Sequence, residues 1–282
     1  MMRALRIAAF VVLGGLVLAG APLVAAALSG TAHAASCGND AAGFDRWLAE
    51  FKREARAAGL SSAVIEGALS GVRYDPRVIR LDRSQKSFKL SFDQFYARRV
   101  SDAMISRGRA YIGNNRRLFQ RIERDFGVPA EIVVSIWGLE TGFGANSGSM
   151  PVMRSLATLA YDCRRSAFFT NELISALRIV ARGDMRPAEM RGAWAGEIGQ
   201  TQFLASNYMK YAVDYDRNGR RDLIRSVPDV LASTANYLKA YGWRPGQPWG
   251  PGTANYKALR GWNKAEVYVK TISVMAEKMA GR

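Results

Sequence analysis

Glu140 stands where a carboxyl group could act as an acid. It comes near the end of a stretch from Pro129 to Thr141 in which Ile132, Val133, Ile136 and Trp137 recur at helical spacing. Seven residues after Val133 and four after Ile136, Glu140 falls on the same apolar stripe near the helix C-terminus. Burial against apolar neighbours and the negative end of the helix dipole both favour the protonated form. A carboxyl that keeps its proton near neutral pH is what general acid catalysis requires. The segment that follows, Thr141-Gly-Phe-Gly-Ala-Asn-Ser-Gly, has glycines that let backbone come close to a ligand. A glutamate that ends a helix and points at water is the other reading of the same residues.

A second chemistry is written into the loop after Tyr211. Asp214, Asp216, Asn218, Gly219 and Asp222 follow the start of an EF-hand loop, with Gly219 at the sharp turn and Arg220 offering only its carbonyl. Oxygen ligands at alternate positions suit a hard cation such as Ca²⁺, in a structural role. The twelfth position, where an EF-hand carries a bidentate Glu, is Arg225. An Asx-rich turn without metal is the alternative.

Other chemistries are closed off. The only histidine, His33, lies in an N-terminal stretch with the anatomy of a secretory signal peptide: Arg3 and Arg6, an apolar run from Ile7 to Leu28, and Ala32-His33-Ala34 as a small-residue cleavage site. Residues 1–34 are therefore expected to be removed on export to the periplasm. Retention as a membrane tether is the less favoured alternative, since the run could span a bilayer. The mature chain, 35–282, would contain no histidine, which excludes Ser-His-Asp, Cys-His and HExxH sites. Its two cysteines, Cys37 and Cys163, read as one disulfide in an oxidising compartment. The formal net charge of +16 falls to +14 without Arg3 and Arg6, and favours a polyanionic partner such as a membrane surface or acidic wall polymer. Nucleic acid is not expected, because no basic-aromatic module appears and the chain is exported.

The elements that must hold these residues are helices. Phe44, Trp47, Leu48 and Phe51 follow helical spacing up to a stop at Gly59. One long helix is expected from Asp102 to Asp125, with Met104, Ile105, Ile112, Leu118 and Ile122 as its apolar stripe and Arg107, Arg109, Arg116, Arg117, Arg121 and Arg124 on its other faces. Pro129, Pro187 and Pro228 sit where helices begin, Ser226 is an N-cap, and Gly242 ends the helix it starts. With 282 residues, 49% of them hydrophobic, and no repeat or linker, the pattern predicts one mainly α domain.

Four segments carry a family resemblance. Gly138-Leu-Glu-Thr-Gly-Phe-Gly144 resembles the catalytic signature of lysozyme-like lytic transglycosylases. Trp194-Ala-Gly-Glu-Ile-Gly-Gln-Thr-Gln-Phe203 is similar to the second signature of the membrane-bound lytic transglycosylase B family, glycoside hydrolase family 103. Tyr211 to Asp222 and Ser233-Thr-Ala-Asn-Tyr-Leu238 follow in the family's order, and the similarity runs from about Phe44 to the C-terminus. The resemblance implies a lysozyme-like α core with added helical and small β subdomains, no separate wall-binding module, and nonhydrolytic cleavage of the MurNAc–GlcNAc bond in peptidoglycan. It implies that Glu140 is the acid, that Tyr96, Gln200, Gln202, Tyr237, Asn263 and Tyr268 are substrate-binding positions, and that Trp262 is an aromatic site beside them. Tyr237 and Tyr268 could equally be core residues, and Gln202 and Asn263 could cap helices. For the metal loop it implies closure by Asp229, so that the ligands are Asp214, Asp216, Asn218, Arg220 and Asp229.

One acid suffices for this chemistry, and no cofactor is needed for catalysis. Glycosidases ordinarily flank the bond with two carboxylates, whereas the resemblance implies that the substrate's own C6 hydroxyl is the nucleophile. Glu197, inside the second signature, is the departure from pattern: if it faces the cleft, it could be a second carboxylate and the reaction hydrolysis. A noncatalytic wall-binding protein is the remaining alternative. The expected partners are glycan strands and other cell-wall enzymes, and the expected state is a monomer.

Overall fold

The computed structural model describes residues 35–84 and 90–282. The expected signal peptide lies outside the described residues. Thirteen α-helices and one short antiparallel ribbon appear among the described residues, and no described helix is long and apolar enough to cross a membrane.

The N-terminal part is stapled to the middle of the chain. α1 (Phe44–Ala57) forms on the stripe read from sequence and buries Phe44, Trp47, Leu48 and Phe51. Phe44 and Trp47 meet Tyr161, whose ring also meets Tyr74 edge-on. The chain leaves α1 through Gly59, whose positive φ of 86° favours glycine. α2 (Ser62–Leu69) and α3 (Pro76–Arg83) follow, each with its N-terminus closed by a side-chain oxygen, from Ser61 and Asp75. Cys37 and Cys163 are joined as expected. Beside that bridge, buried Asp82 is held by Arg83, Arg164 and Arg165, and Asp162 by Arg83.

The expected single helix from Asp102 to Asp125 is two. α5 (Asp102–Asn114) and α6 (Arg116–Phe126) break at Asn115, whose φ and ψ of −123° and 32° leave the helical region. The Asn115 backbone N–H and side-chain amide both donate to the Tyr111 carbonyl, at 3.1 and 3.0 Å, and close the last turn of α5. The break turns Phe119 and Ile122 inward together, and Phe119 replaces Leu118 as the buried anchor of α6.

α4 (Phe92–Arg99) and α5 lead into α7 (Ala130–Thr141), around which α5, α6, α11 and α13 pack. Here the amphipathic reading was too narrow. Ala130, Ile132 to Leu139 and Thr141 are all buried, so α7 is a core helix wrapped on every side. Glu140 is distinguished by being partly exposed in that run, as Glu131 is at the other end. Pro129 is the N-cap of α7, Pro187 starts only a single 3₁₀ turn, and Pro228 lies in the first turn of α11.

β1 (Met150–Pro151) pairs antiparallel with β2 (Arg191–Gly192), and two isolated bridges continue the ribbon from Gly192 to Ile198 and from Ile198 to Phe203. Between the strands lie α8 (Val152–Tyr161) and α9 (Ser166–Ala181), and after them α10 (Ala205–Tyr211). α11 (Val227–Ala240) begins at the Ser226 cap and is followed by Gly242 at φ 89°. α12 (Ala254–Trp262) and α13 (Glu266–Met279) close the chain, bringing Trp262 and Tyr268 to the C-terminal end of α7.

Candidate active site

Glu140 Oε1 accepts hydrogen bonds from Trp262 Nε1 at 3.0 Å and from the Tyr268 hydroxyl at 2.8 Å. Burial holds the Glu140 carboxyl above the usual carboxylate range, while those two donors and nearby Arg99 pull the other way without cancelling it. Burial first, then contact with the acid, push the Tyr268 phenol well up, so it stays a donor. Arg99 is itself fixed by donating to the Leu139 carbonyl at 2.5 Å.

The C-terminal end of α7 is set from behind. Gly142 takes φ 62° as the left-handed cap, and Gly144 takes φ 83°. A Cβ on Gly144 would lie 2.3 Å from Gln200 Oε1, so only glycine lets this turn lie against that amide. Gln200 accepts from Trp137 Nε1 at 2.9 Å and donates to the Ile224 carbonyl at 2.8 Å, and its carbonyl receives the Thr141 hydroxyl at 2.6 Å. Its amide is thus engaged inside the protein, and it does not line the cleft. In this position Gln200 ties α7 to the second signature.

The cleft has a volume of about 270 Å³ and is lined by Glu140, Glu197, Gln202, Phe203, Leu204, Asn207, Tyr237, Trp262 and Asn263. Phe203, Tyr237 and Trp262 meet mutually edge-on at 4.9 to 5.8 Å between centroids, and the Tyr237 hydroxyl donates to the Gly261 carbonyl. Gln202 is a non-glycine residue at φ 54°, and its amide donates to the Ser147 and Gly199 carbonyls. A backbone held in that sparsely populated region costs roughly 1–3 kcal/mol and is over-determined by its surroundings. Asn263 both caps α12 and faces the cleft, its Oδ1 accepting from the Ala265 N–H. Among the expected positions, then, Gln202, Tyr237, Trp262 and Asn263 gather around Glu140. Tyr268 serves the acid directly. Tyr96 does not line this cavity: it packs against Phe92, with Lys278 over its ring. Asn207, Leu204 and Arg99 went unread, because nothing in their spacing ties them to Glu140.

Glu197 does face the cleft. Burial first, then the neighbouring Glu140 charge, keep its carboxyl above the ordinary range.

A separate cluster forms in the acidic loop. Asp214, Asp216 and Asp229 place carboxylate oxygens within 4.8 Å of one another. Asp229, fully buried, accepts from the Tyr215, Asp216 and Asp222 N–H groups. Asp214 accepts from Asn218 and Gly219, and Asn218 Oδ1 accepts from Arg220 N–H. Asp222, in contrast, turns its Oδ1 to the N–H groups of Ile224 and Arg225, at the start of the next segment. Two loop carboxylates, Asp214 and Asp216, and Asp229 from the first turn of α11 are a donor set that suits a hard divalent cation.

Residues 43–254 match the family model described as Transglycosylase SLT domain. Over 122 residues the chain is 39% identical to membrane-bound lytic murein transglycosylase B of Escherichia coli K12, a match covering 43% of this chain and 34% of that relative's length. SltB3 of Pseudomonas aeruginosa, in a crystal structure with NAG-anhNAM-pentapeptide, superposes with a TM-score of 0.80 at 30% identity, covering 84% of this chain and 80% of the other. The Escherichia coli lytic transglycosylase Slt35, in complex with calcium, superposes with a TM-score of 0.74 at 22% identity over 87% of this chain and 96% of the other, a likeness of fold alone. The fold is the mainly α, lysozyme-like one of the lytic transglycosylases, as the four segments implied.

Proposed function

This chain belongs to the Transglycosylase SLT domain family, and from that premise we propose that it is a lytic transglycosylase that cleaves the MurNAc–GlcNAc β-1,4 bond of peptidoglycan. The observation that carries the reading is Glu140 itself: a carboxyl whose pKa burial raises, lining a cleft of about 270 Å³, and bridged by Trp262 and Tyr268. The Glu140 proton passes to the glycosidic oxygen as the C1–O bond breaks. The Trp262 and Tyr268 donors stabilise the carboxylate left behind. That carboxylate then accepts the C6 hydroxyl proton as O6 bonds to C1, which returns Glu140 to its starting state and leaves a 1,6-anhydromuramyl end. No water is consumed. The aromatic edges of Phe203, Tyr237 and Trp262 and the amides of Gln202, Asn207 and Asn263 offer the mixed apolar and polar wall that a sugar ring needs. The anhydro sugar bound by SltB3 supports the same direction.

Hydrolysis with Glu197 as second acid is the weaker reading. A base or nucleophile must be ionised, and both burial and Glu140 disfavour charge on Glu197. Residues 35–282 act as one catalytic domain, working in the periplasm after loss of 1–34. The loop from Asp214 to Asp229 holds a structural Ca²⁺, with Asn218 and the Arg220 carbonyl completing the set begun by Asp214, Asp216 and Asp229. Mass spectrometry of products released from purified sacculi tests the main reading. Anhydro ends, one water lighter than reducing ends, are expected. Reducing ends would make the enzyme a hydrolase, and sedimentation with the wall without release would make it a binder.

A further inference from the structure

The cavity beside Glu140, about 270 Å³, is far smaller than a glycan strand, so a strand held there must run out along its walls. Two of those walls continue in aromatic rings. Asn207 on α10 and Tyr237 on α11 line the cavity. Four residues further on stand Tyr211, the last residue of α10, and Tyr241, the C-cap of α11. That step is about 6 Å along each helix and keeps both tyrosines on the faces that carry Asn207 and Tyr237. Asn236 ties the two helix ends together by donating to the Tyr211 carbonyl at 2.9 Å.

Tyr241 is built into this extension. Its ring stacks on Tyr237 with centroids 4.6 Å apart and planes within 6°. Tyr211 meets the Tyr237 and Tyr241 rings edge-on at 4.8 and 6.0 Å. Gly261 lets the ring lie against α12, since a Cβ at that position would run into Tyr241. Although it is held by three neighbours, Tyr241 is 43% exposed, one of three exposed large hydrophobic residues among those described. A single exposed aromatic is ordinary, and position sets this one apart. The other two, Leu81 and Phe168, are on α3 and α9, from which no residue lines the cavity. Tyr241 instead stacks directly on a residue of the cavity wall. A tyrosine fixed in this way offers apolar area and a hydroxyl with little ordering cost on binding, which suits a ligand as mixed in polarity as a sugar ring.

We propose that Tyr241, with Tyr211 beside it, forms a further glycan subsite that holds a sugar ring beyond those enclosed at Glu140. This rests on the glycan reading of the cleft. It gives the strand an exit path along the ends of α10 and α11, and makes affinity depend on the length of the glycan.

The test is calorimetric titration with the dimer and the hexamer of N-acetylglucosamine, using Glu140→Gln protein so that neither probe is cleaved. Adding Tyr241→Ala should weaken hexamer binding about tenfold, or roughly 1.4 kcal/mol, within the range of an aromatic contact. Dimer affinity should stay within about twofold, because the dimer is held inside the cavity. Tyr241→Phe keeps the ring and should leave hexamer affinity within about threefold. Unchanged hexamer affinity with alanine would overturn the proposal, as would a loss with phenylalanine as large as that with alanine. Equal losses for dimer and hexamer would overturn it too, by making Tyr241 a prop for Tyr237 rather than a contact. Retained dimer binding also shows that the alanine variant is folded. If Glu140→Gln protein with Tyr241 intact binds neither probe, the glycan reading itself falls, and this inference with it.

Discussion

Tyr268, on the last helix of the chain, donates to Glu140 Oε1 at 2.8 Å across a sequence separation of 128 residues. Together with Trp262 it fixes one oxygen of the acid and leaves the other for the reaction. Folding α12 and α13 back onto the end of α7 therefore completes the site, and changes at either residue should act on the acid more than on overall stability.

Glu140→Gln should remove glycan cleavage while keeping fold and wall binding. The amide has the size of the acid but no proton to give, and general acid–base catalysis contributes about 10²–10⁴-fold. Product release from sacculi measures the loss. Turnover above a few per cent of the parent would show that the acid lies elsewhere.

The pH profile should carry the signature of a raised carboxyl. Glu140 is held above the ordinary range by burial, so activity that needs its proton should persist above a pH of about 4.3, the unperturbed carboxylate value. The sign for stability is the same. The contribution is full below the unfolded value and is lost as pH rises through the raised folded value. Tyr268→Phe deletes a donor that favours the carboxylate, so the alkaline limb should move further up. Turnover should fall about ten- to a hundredfold, the worth of a hydrogen bond to a charged group. A limb that stays put or moves down in the phenylalanine variant would contradict this account of the acid.

What could be read in advance tracks what is local. The helix bearing Glu140 was legible because Ile132, Val133, Ile136 and Trp137 repeat at its period, although the same pattern concealed that α7 is buried all round. The break at Asn115 lies inside a continuous apolar repeat, so periodicity does not announce it; it shows in that residue's backbone angles. Gln202, Tyr237, Trp262 and Asn263 could be placed at the site by motif position. That Trp262 and Tyr268 bridge the acid could not, because the contact joins helices more than a hundred residues apart. Gln200, two residues before a cleft amide, accepts from Trp137 and donates to the Ile224 carbonyl, contacts that its motif position does not announce.

The Cys37–Cys163 bridge should matter to stability. It closes a loop of 126 residues, for which the chain-entropy account gives about 5 kcal/mol and removal of native disulfides typically costs 2–5 kcal/mol. Cys37→Ser with Cys163→Ser should lower the unfolding free energy by that range in urea titration. Nonreduced mature protein should show essentially no free thiol, and two titratable thiols would refute the bridge.

The acidic loop gives the last prediction. Asp214 and Asp216 on the loop and Asp229 at the start of α11 bring three carboxylates together, and a divalent cation bound there would offset their mutual repulsion. Because such an ion binds the folded state alone, chelation should lower the melting temperature and added Ca²⁺ should restore it. Asp216→Ala should lose most of that response. Asp216 is the exposed member of the three, so its removal takes away a ligand while leaving the hydrogen bonds of buried Asp229 to Tyr215 and Asp222 in place. Cleavage measured below the lowered melting temperature should survive chelation, since Glu140, Trp262 and Tyr268 lie outside this loop and the proton steps need no metal. A melting curve indifferent to chelator and calcium alike would reduce the loop to an Asx-rich turn held by its own N–H groups. Loss of cleavage while the chelated protein is still folded would instead mean that the loop, through α11 and Tyr237 on it, sets the shape of the cleft.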